Sequence, residues 1–226
     1  MFGLVDGPRP ERPVRGSPRM FKADWVEKYF SRVRPWHVLA IWVPIALVLL
    51  YQAYAAGAGV AAIVGLVALG LGLWTLLEYV LHRFVFHFEP RGKTQEDLAF
   101  VIHGIHHDYP WDADRLVMPP AVSLLIGALL WFPVKWTFGE PWFYAVYAGI
   151  VAGYLWYDLS HYAAHHWKPR TAWGRYMRSY HLVHHFKTPG RRYGVSTPIW
   201  DYVFGTAPQE GDTRRDPAEA GAPAGH

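Results

Sequence analysis

From Pro35 to Leu77 the chain runs through 43 consecutive residues without one Asp, Glu, Lys or Arg. A run of that length has no place on a soluble domain. At about 1.5 Å per residue it makes roughly 65 Å of helix, enough to cross a ~30 Å hydrocarbon layer twice. Gly57-Ala58-Gly59 is the natural turn, so spans are expected near 36–55 and 60–82. Trp36, His37 and Trp42 sit where interfacial side chains belong, and His37 is read as interfacial, not as a ligand. Gly65, Gly70 and Gly72 would let a neighbouring helix approach closely. A second uncharged run from Met118 to Val134, opened by Pro119 and Pro120, predicts a span near 118–137. After a turn at Gly139-Glu140-Pro141, the apolar stretch from Trp142 to Tyr157 predicts a fourth near 141–160.

Four crossings put the N-terminus, the 83–117 segment and everything beyond about 160 on one side. Of the 22 Lys and Arg residues, all but Lys135 lie on that side, which the positive-inside rule assigns to the cytoplasm. The net charge of +4 is therefore membrane-topological, and no nucleic-acid partner is expected. With no cysteine, disulfides, thiolate zinc sites and iron–sulfur clusters are excluded. Residues 1–34 read as a flexible basic arm, with a short amphipathic helix around Trp25 to Phe30 at the membrane surface. Residues 35–206 form the membrane domain. Residues 207–226, rich in Ala, Gly, Pro, Glu and Arg, read as a disordered tail.

Eleven of the thirteen histidines fall in four clusters between His82 and His185. They are His82 and His87; His103, His106 and His107; His161, His165 and His166; and His181, His184 and His185. One such residue would ordinarily be a hydrogen-bonded core side chain, but four clusters with short regular spacing point to a shared metal site. Residues three and four apart share a helix face, so the second and fourth clusters each present one coordinating face. His166 lies about 100° round from His165 and is the weakest member of its cluster. All four clusters fall on the cytoplasmic side of the predicted topology.

Two metals are expected, because one ion accepts at most about six ligands and two closed zinc sites would use only eight of the histidines. More ligands per ion favours iron, although zinc also occupies histidine sites and is expected in some purified samples. Glu78 lies four residues before His82, and Asp158 three before His161; a buried carboxylate near membrane helices reads as functional, here as a hydrogen-bond partner orienting a metal-bound imidazole. Such a centre at the membrane surface meets oxygen and electrons from the aqueous side and an apolar substrate from the lipid. The reaction class that fits is oxygen-dependent attack on an unactivated C–H bond. The alternative from another class is a membrane metal-binding protein without redox chemistry; transport is disfavoured because the ionisable residues gather at one membrane face.

Several stretches resemble the membrane fatty acid hydroxylase and sterol desaturase superfamily, and most closely its fatty acid 2-hydroxylases. They are EYVLHRFVFHFEP from Glu78, HGIHHDYPWDADRLVMPP from His103, GYLWYDLSHYAAHH from Gly153, YHLVHHF from Tyr180 and YGVSTPIWDYVFGT from Tyr193. The resemblance implies an all-α polytopic fold, with four membrane helices beneath a cytosolic helical cap that carries a histidine-rich dimetal site. It implies two iron ions, O2 as co-substrate, and hydroxylation at carbon 2 of a long acyl chain, free or within a sphingolipid. His82, His87, His103, His106, His107, His161, His165, His181, His184 and His185 match its ligand pattern, and His166 matches only some members. A superfamily oxygenase of a sterol, hopanoid or carotenoid is the alternative. Eukaryotic members often carry an N-terminal cytochrome b5 domain, and the residues before Pro35 hold no haem motif. A separate electron donor, a cytochrome b5 or a ferredoxin with its reductase, is therefore expected. The location implied is the bacterial inner membrane, or the endoplasmic reticulum in a eukaryote.

Overall fold

The computed structural model describes Leu4 and residues 9–209, so most of the tail expected over 207–226 lies outside the described residues. Among these residues the chain is helical, with two isolated β-bridges, Leu4 to Phe21 and Val33 to Arg115, and no strand. The elements in order are α1 (Asp24–Val26, continued by wider turns over Glu27–Ser31), α2 (Pro35–Ala55) and α3 (Val60–Val80, continued over Leu81–Phe86). Then come α4 (Lys93–Ala99, continued over Phe100–Gly104), α5 (Ile105–Asp108), α6 (Pro120–Phe138), α7 (Trp142–His166), α8 (Ala172–Phe186) and α9 (Ile199–Val203).

Three helices are long and apolar enough to cross a membrane: α2, α3 with its extension, and α6, with mean hydropathies of 2.0, 2.4 and 1.6. Their outer faces leave Leu47, Val64, Leu129, Phe132 and Trp136 exposed, which is costly in water and natural against lipid. The helix at the fourth expected span, α7, has 25 residues, but tyrosines, Asp158 and three histidines break its apolar character. It fills the middle of the bundle, with fifteen residues buried and contacts to α2, α3, α6 and α8.

The α3–α7 contact is made by small residues. A Cβ on Gly70 would strike the Val146 carbonyl, one on Gly149 the Val67 carbonyl, and one on Gly153 the Trp74 side chain. Of the three glycines on α3 expected to serve close approach, only Gly70 does; Gly65 and Gly72 face open space. Trp42, Trp74, Tyr154 and Tyr157 belong to the buried core of the bundle, and the Tyr157 ring lies 5.8 Å from that of His161.

Residues preceding α2 lie against the segment 108–115. Glu27 accepts hydrogen bonds from the backbone N–H groups of Met20 (3.0 Å) and Phe21 (3.1 Å) and pairs with the buried guanidinium of Arg115. Arg115 also reaches Asp112 (2.6 Å) and Ser31 (2.9 Å). Although burial opposes it, those two N–H groups, with Arg115 and Arg32, hold the Glu27 carboxyl below its ordinary pKa.

Candidate metal centre

The chain brings ten histidines together in two groups of five. His82, His87, His103, His107 and His184 form the first, and His106, His161, His165, His181 and His185 the second. Within each group the facing nitrogens all lie within 4.8 Å of one another. Five nitrogens at the ~2.1 Å of a metal–imidazole bond would lie at most about 4.2 Å apart, so a small contraction completes either site. The groups adjoin, with the His107 and His185 rings stacked at 4.1 Å.

Local helix geometry explains how the clusters converge. His82 and His87 are five apart, a spacing that an α-helix places on different faces. The wider turns over Leu81–Phe86 let the His87 N–H bond the His82 carbonyl at 3.1 Å, an i→i+5 contact that turns both rings the same way. The expectation of one coordinating face per cluster holds only in part. His103 and His107 face one group and His106 the other; His184 faces the first, His181 and His185 the second.

The donor set suits a metal. His82 Nδ1–H donates to the Tyr193 carbonyl at 2.6 Å, and His184 Nδ1–H to the Arg191 carbonyl at 2.7 Å. A carbonyl can only accept, so in the neutral rings Nε2 carries the lone pair, and those lone pairs point inward. His82 Nε2 then faces His103 Nε2 at 3.2 Å, and His184 Nε2 faces His87 Nε2 at 3.1 Å. In the second group His161 and His106 meet through Nε2 at 2.7 Å, and His165 and His181 at 2.9 Å. Each group thus gathers five imidazole nitrogens, a nitrogen-only donor set of the kind a divalent metal ion takes. Burial keeps the rings neutral, pushing His87 down to about 4 and His184 to about 3, and holding His103, His106, His107, His181 and His185 well below the usual imidazole range.

Neither carboxylate expected to orient an imidazole touches one. Glu78 Oε1 accepts the N–H groups of Val195 (2.7 Å) and Ser196 (2.8 Å). Asp158 accepts from the Met118 N–H (3.1 Å) and the Tyr154 hydroxyl (3.1 Å). His82 and His184 are oriented instead by backbone carbonyls of the loop after α8, which no side-chain pattern in the sequence marks. His166 lies outside both groups, its ring against Tyr162, and His37 stacks on Trp36.

Two openings reach the centre. A cavity of about 210 Å³ runs from Phe21, Phe30 and Val122 to His103, His106 and His161, walled by Phe86, Val101, Ile102 and Leu116. A wider and more polar opening of about 390 Å³, edged by Arg9, Glu11, Arg12 and Asp108, reaches His87, His107 and His185 from another side.

Residues 67–206 match the family model described as fatty acid hydroxylase. The chain is 36% identical to a dihydroceramide fatty acyl 2-hydroxylase of Arabidopsis thaliana over 191 residues, 84% of this chain and 80% of that one. It is 34% identical to the fatty acid 2-hydroxylase of Homo sapiens, over 88% of this chain and 59% of the relative. Among solved structures it is similar to full-length scs7p, of which only the hydroxylase domain is visible. The TM-score is 0.78 at 33% identity, over 88% of this chain and 75% of that one.

Proposed function

The chain belongs to the fatty acid hydroxylase family, and from that premise we propose that it hydroxylates long-chain fatty acyl lipids at carbon 2, using dioxygen and two iron ions held by its ten clustered histidines. It is an enzyme of fatty acid and sphingolipid metabolism. What carries the metal assignment is the convergence of two five-nitrogen groups, three of whose rings, those of His103, His106 and His161, line an apolar cavity.

His82, His87, His103, His107 and His184 would hold one ion, and His106, His161, His165, His181 and His185 the other. Bound there, the pair supplies reductive activation of dioxygen, the oxidising power that an unactivated C–H bond demands. The chain's own residues do the rest. Phe86, Val101, Ile102 and Leu116 shed water from the acyl chain and aim it at His103, His106 and His161. Asp158, fixed by Met118 and Tyr154, shapes the wall beside His161. The neutral imidazoles leave two cations without an anion among their direct ligands, and Glu78 and Asp158 offset part of that charge from a distance.

The same proposal includes α7 as a fourth membrane crossing, a membrane domain over 35–206, and the histidines under a cap on the cytoplasmic side. Electrons arrive from a cytochrome b5 or a ferredoxin with its reductase. Membranes containing the protein, supplied with dioxygen, a donor and a long-chain acyl substrate, are expected to form the 2-hydroxy product, measured by mass spectrometry. His106→Ala and His184→Ala are each expected to lower its rate by at least about 100-fold, or about 2.7 kcal/mol. Product formation by the His variants at the native rate would refute the assignment.

A further inference from the structure

The loop after α8 is held by two buried carboxylates from different parts of the chain. Asp201, at the start of α9, is fully buried and accepts the N–H groups of Tyr193 (Oδ1, 2.8 Å) and Gly194 (Oδ2, 2.8 Å) and the Thr206 hydroxyl (2.7 Å). Glu78, on α3, accepts the next two N–H groups, of Val195 and Ser196, through one oxygen. Four successive backbone donors, from Tyr193 to Ser196, are thus fixed by two side chains. Gly194 permits the grip, since a Cβ there would strike the Thr197 carbonyl and lie 3.0 Å from the Asp201 carboxylate. The far end is tied as well: the Arg192 N–H bonds the Thr206 carbonyl at 3.0 Å, and the Thr206 N–H bonds the Asp201 carbonyl at 2.8 Å.

The same loop supplies the carbonyls of Arg191 and Tyr193, which receive the Nδ1–H of His184 and His82. Both rings belong to the first group of five. Among the described contacts, no ring of the second group has a carbonyl of this loop as its partner.

We propose that Asp201 and Glu78 are positioning residues for one half of the dimetal centre, clamping the loop whose carbonyls set the tautomer and aim of His82 and His184. The two halves therefore differ: the first would hold its ion through two imidazoles fixed by this loop, and the second through none. This rests on the ten histidines binding two metals. Outer partners of metal-bound imidazoles are worth 10–100-fold in metal affinity, and a loosened clamp is expected to cost that much at the first site only.

Glu78 and Asp201 differ in what they need. Glu78 uses one oxygen to accept both N–H groups, so Gln keeps the acceptor and Ala removes it. Asp201 uses both oxygens, so Asn necessarily turns an NH2 towards a backbone N–H or loses its grip on one. Purified protein is loaded with zinc(II) alone and challenged with graded chelator, and retained metal per chain is measured by mass spectrometry. Wild type, Glu78→Gln and the core control Leu49→Ala are expected to retain two ions at a chelator level where Asp201→Asn and Glu78→Ala retain one. Adding Asp201→Asn to His184→Ala is expected to release no further metal, whereas adding it to His181→Ala releases both. Equal retention by Asp201→Asn and Leu49→Ala overturns the proposal, as does parallel loss of both ions from Asp201→Asn. A wild type that binds no metal instead refutes the dimetal assignment beneath it.

Discussion

His87 shows what burial does to an imidazole gathered with others of its kind. Burial lowers its folded pKa to about 4, against about 6.5 for an unperturbed ring, and its neighbours are lowered in the same direction. The unfolded chain therefore binds more protons than the folded one between those values. The stability from burying neutral rings is fully present above pH ~6.5 and drains away as pH falls towards ~4. Protons also compete for the lone pairs a metal uses. Metal-free protein is thus expected to lose thermal stability steadily from pH 7 to pH 5, and metal-loaded protein to release its ions on the way, followed by melting temperature and metal content together. A melting temperature flat across that window would mean the rings are not buried neutral. At this scale the sequence was generous with side chains and silent about backbone. Ten of the eleven clustered histidines could be named from spacing and resemblance, and the carbonyls of Arg191 and Tyr193 could not, because a carbonyl has no sequence signature. Glu78 and Asp158 were recognisable as acids needing a buried partner, but which donor each would meet depends on how the loop after α8 and the residues before α6 fold back.

Among the elements, α7 is the most polar of the four long helices, and its packing explains why. Lipid-facing helices announce themselves by uniform apolarity, as α2, α3 and α6 do. A helix at the centre of a bundle is covered by protein and carries the tyrosines and histidines that serve the site. Its contact with α3 depends on Gly149, where any side chain meets the Val67 carbonyl. Gly149→Leu is expected to force the helices apart at a cost of about 3 kcal/mol, read as a drop in detergent melting temperature. The same change at Gly65, which faces open space, is expected to be nearly neutral. Extensions of α3 and α4 in wider turns could not be foreseen either, since nothing in HRFVFH distinguishes i→i+5 from i→i+4 bonding, yet they bring His82, His87 and His103 into register. The start of α6 forms part of the apolar cavity through Ala121 and Val122. Ala121→Trp is expected to narrow it and lower kcat/KM for long acyl chains by about tenfold, or ~1.4 kcal/mol, with metal content unchanged. An unaltered chain-length profile would place the acyl chain elsewhere.

The molecule as a whole is polarised: apolar helices at one end, histidines and nearly all the positive charge at the other. That polarity follows from solvent. On the proposed function, a metal centre that draws an acyl chain from lipid and electrons from water has to sit where the two meet, and the proposed topology places the basic residues on the side where loops are not translocated. Lys135 lies beside Glu140, which it contacts at 2.8 Å, at the connection between α6 and α7, and the histidines gather around the opposite end of α7. Four crossings with a cytoplasmic cap place the α6–α7 connection outside the cytoplasm and Gly190 within it; three crossings would not separate them in that way. The absence of native cysteine makes the test clean, because one introduced thiol is the sole target of a maleimide. Gly139 and Gly190 both face open space, and Gly139 has a positive φ of 63°, so the neighbouring Thr137 is the better site on the outer connection. In intact cells a membrane-impermeant maleimide is expected to label Thr137→Cys and to leave Gly190→Cys unlabelled until the membrane is opened. Labelling of both positions in intact cells would remove α7 from the set of membrane-crossing helices, and with it the cytoplasmic placement of the metal centre.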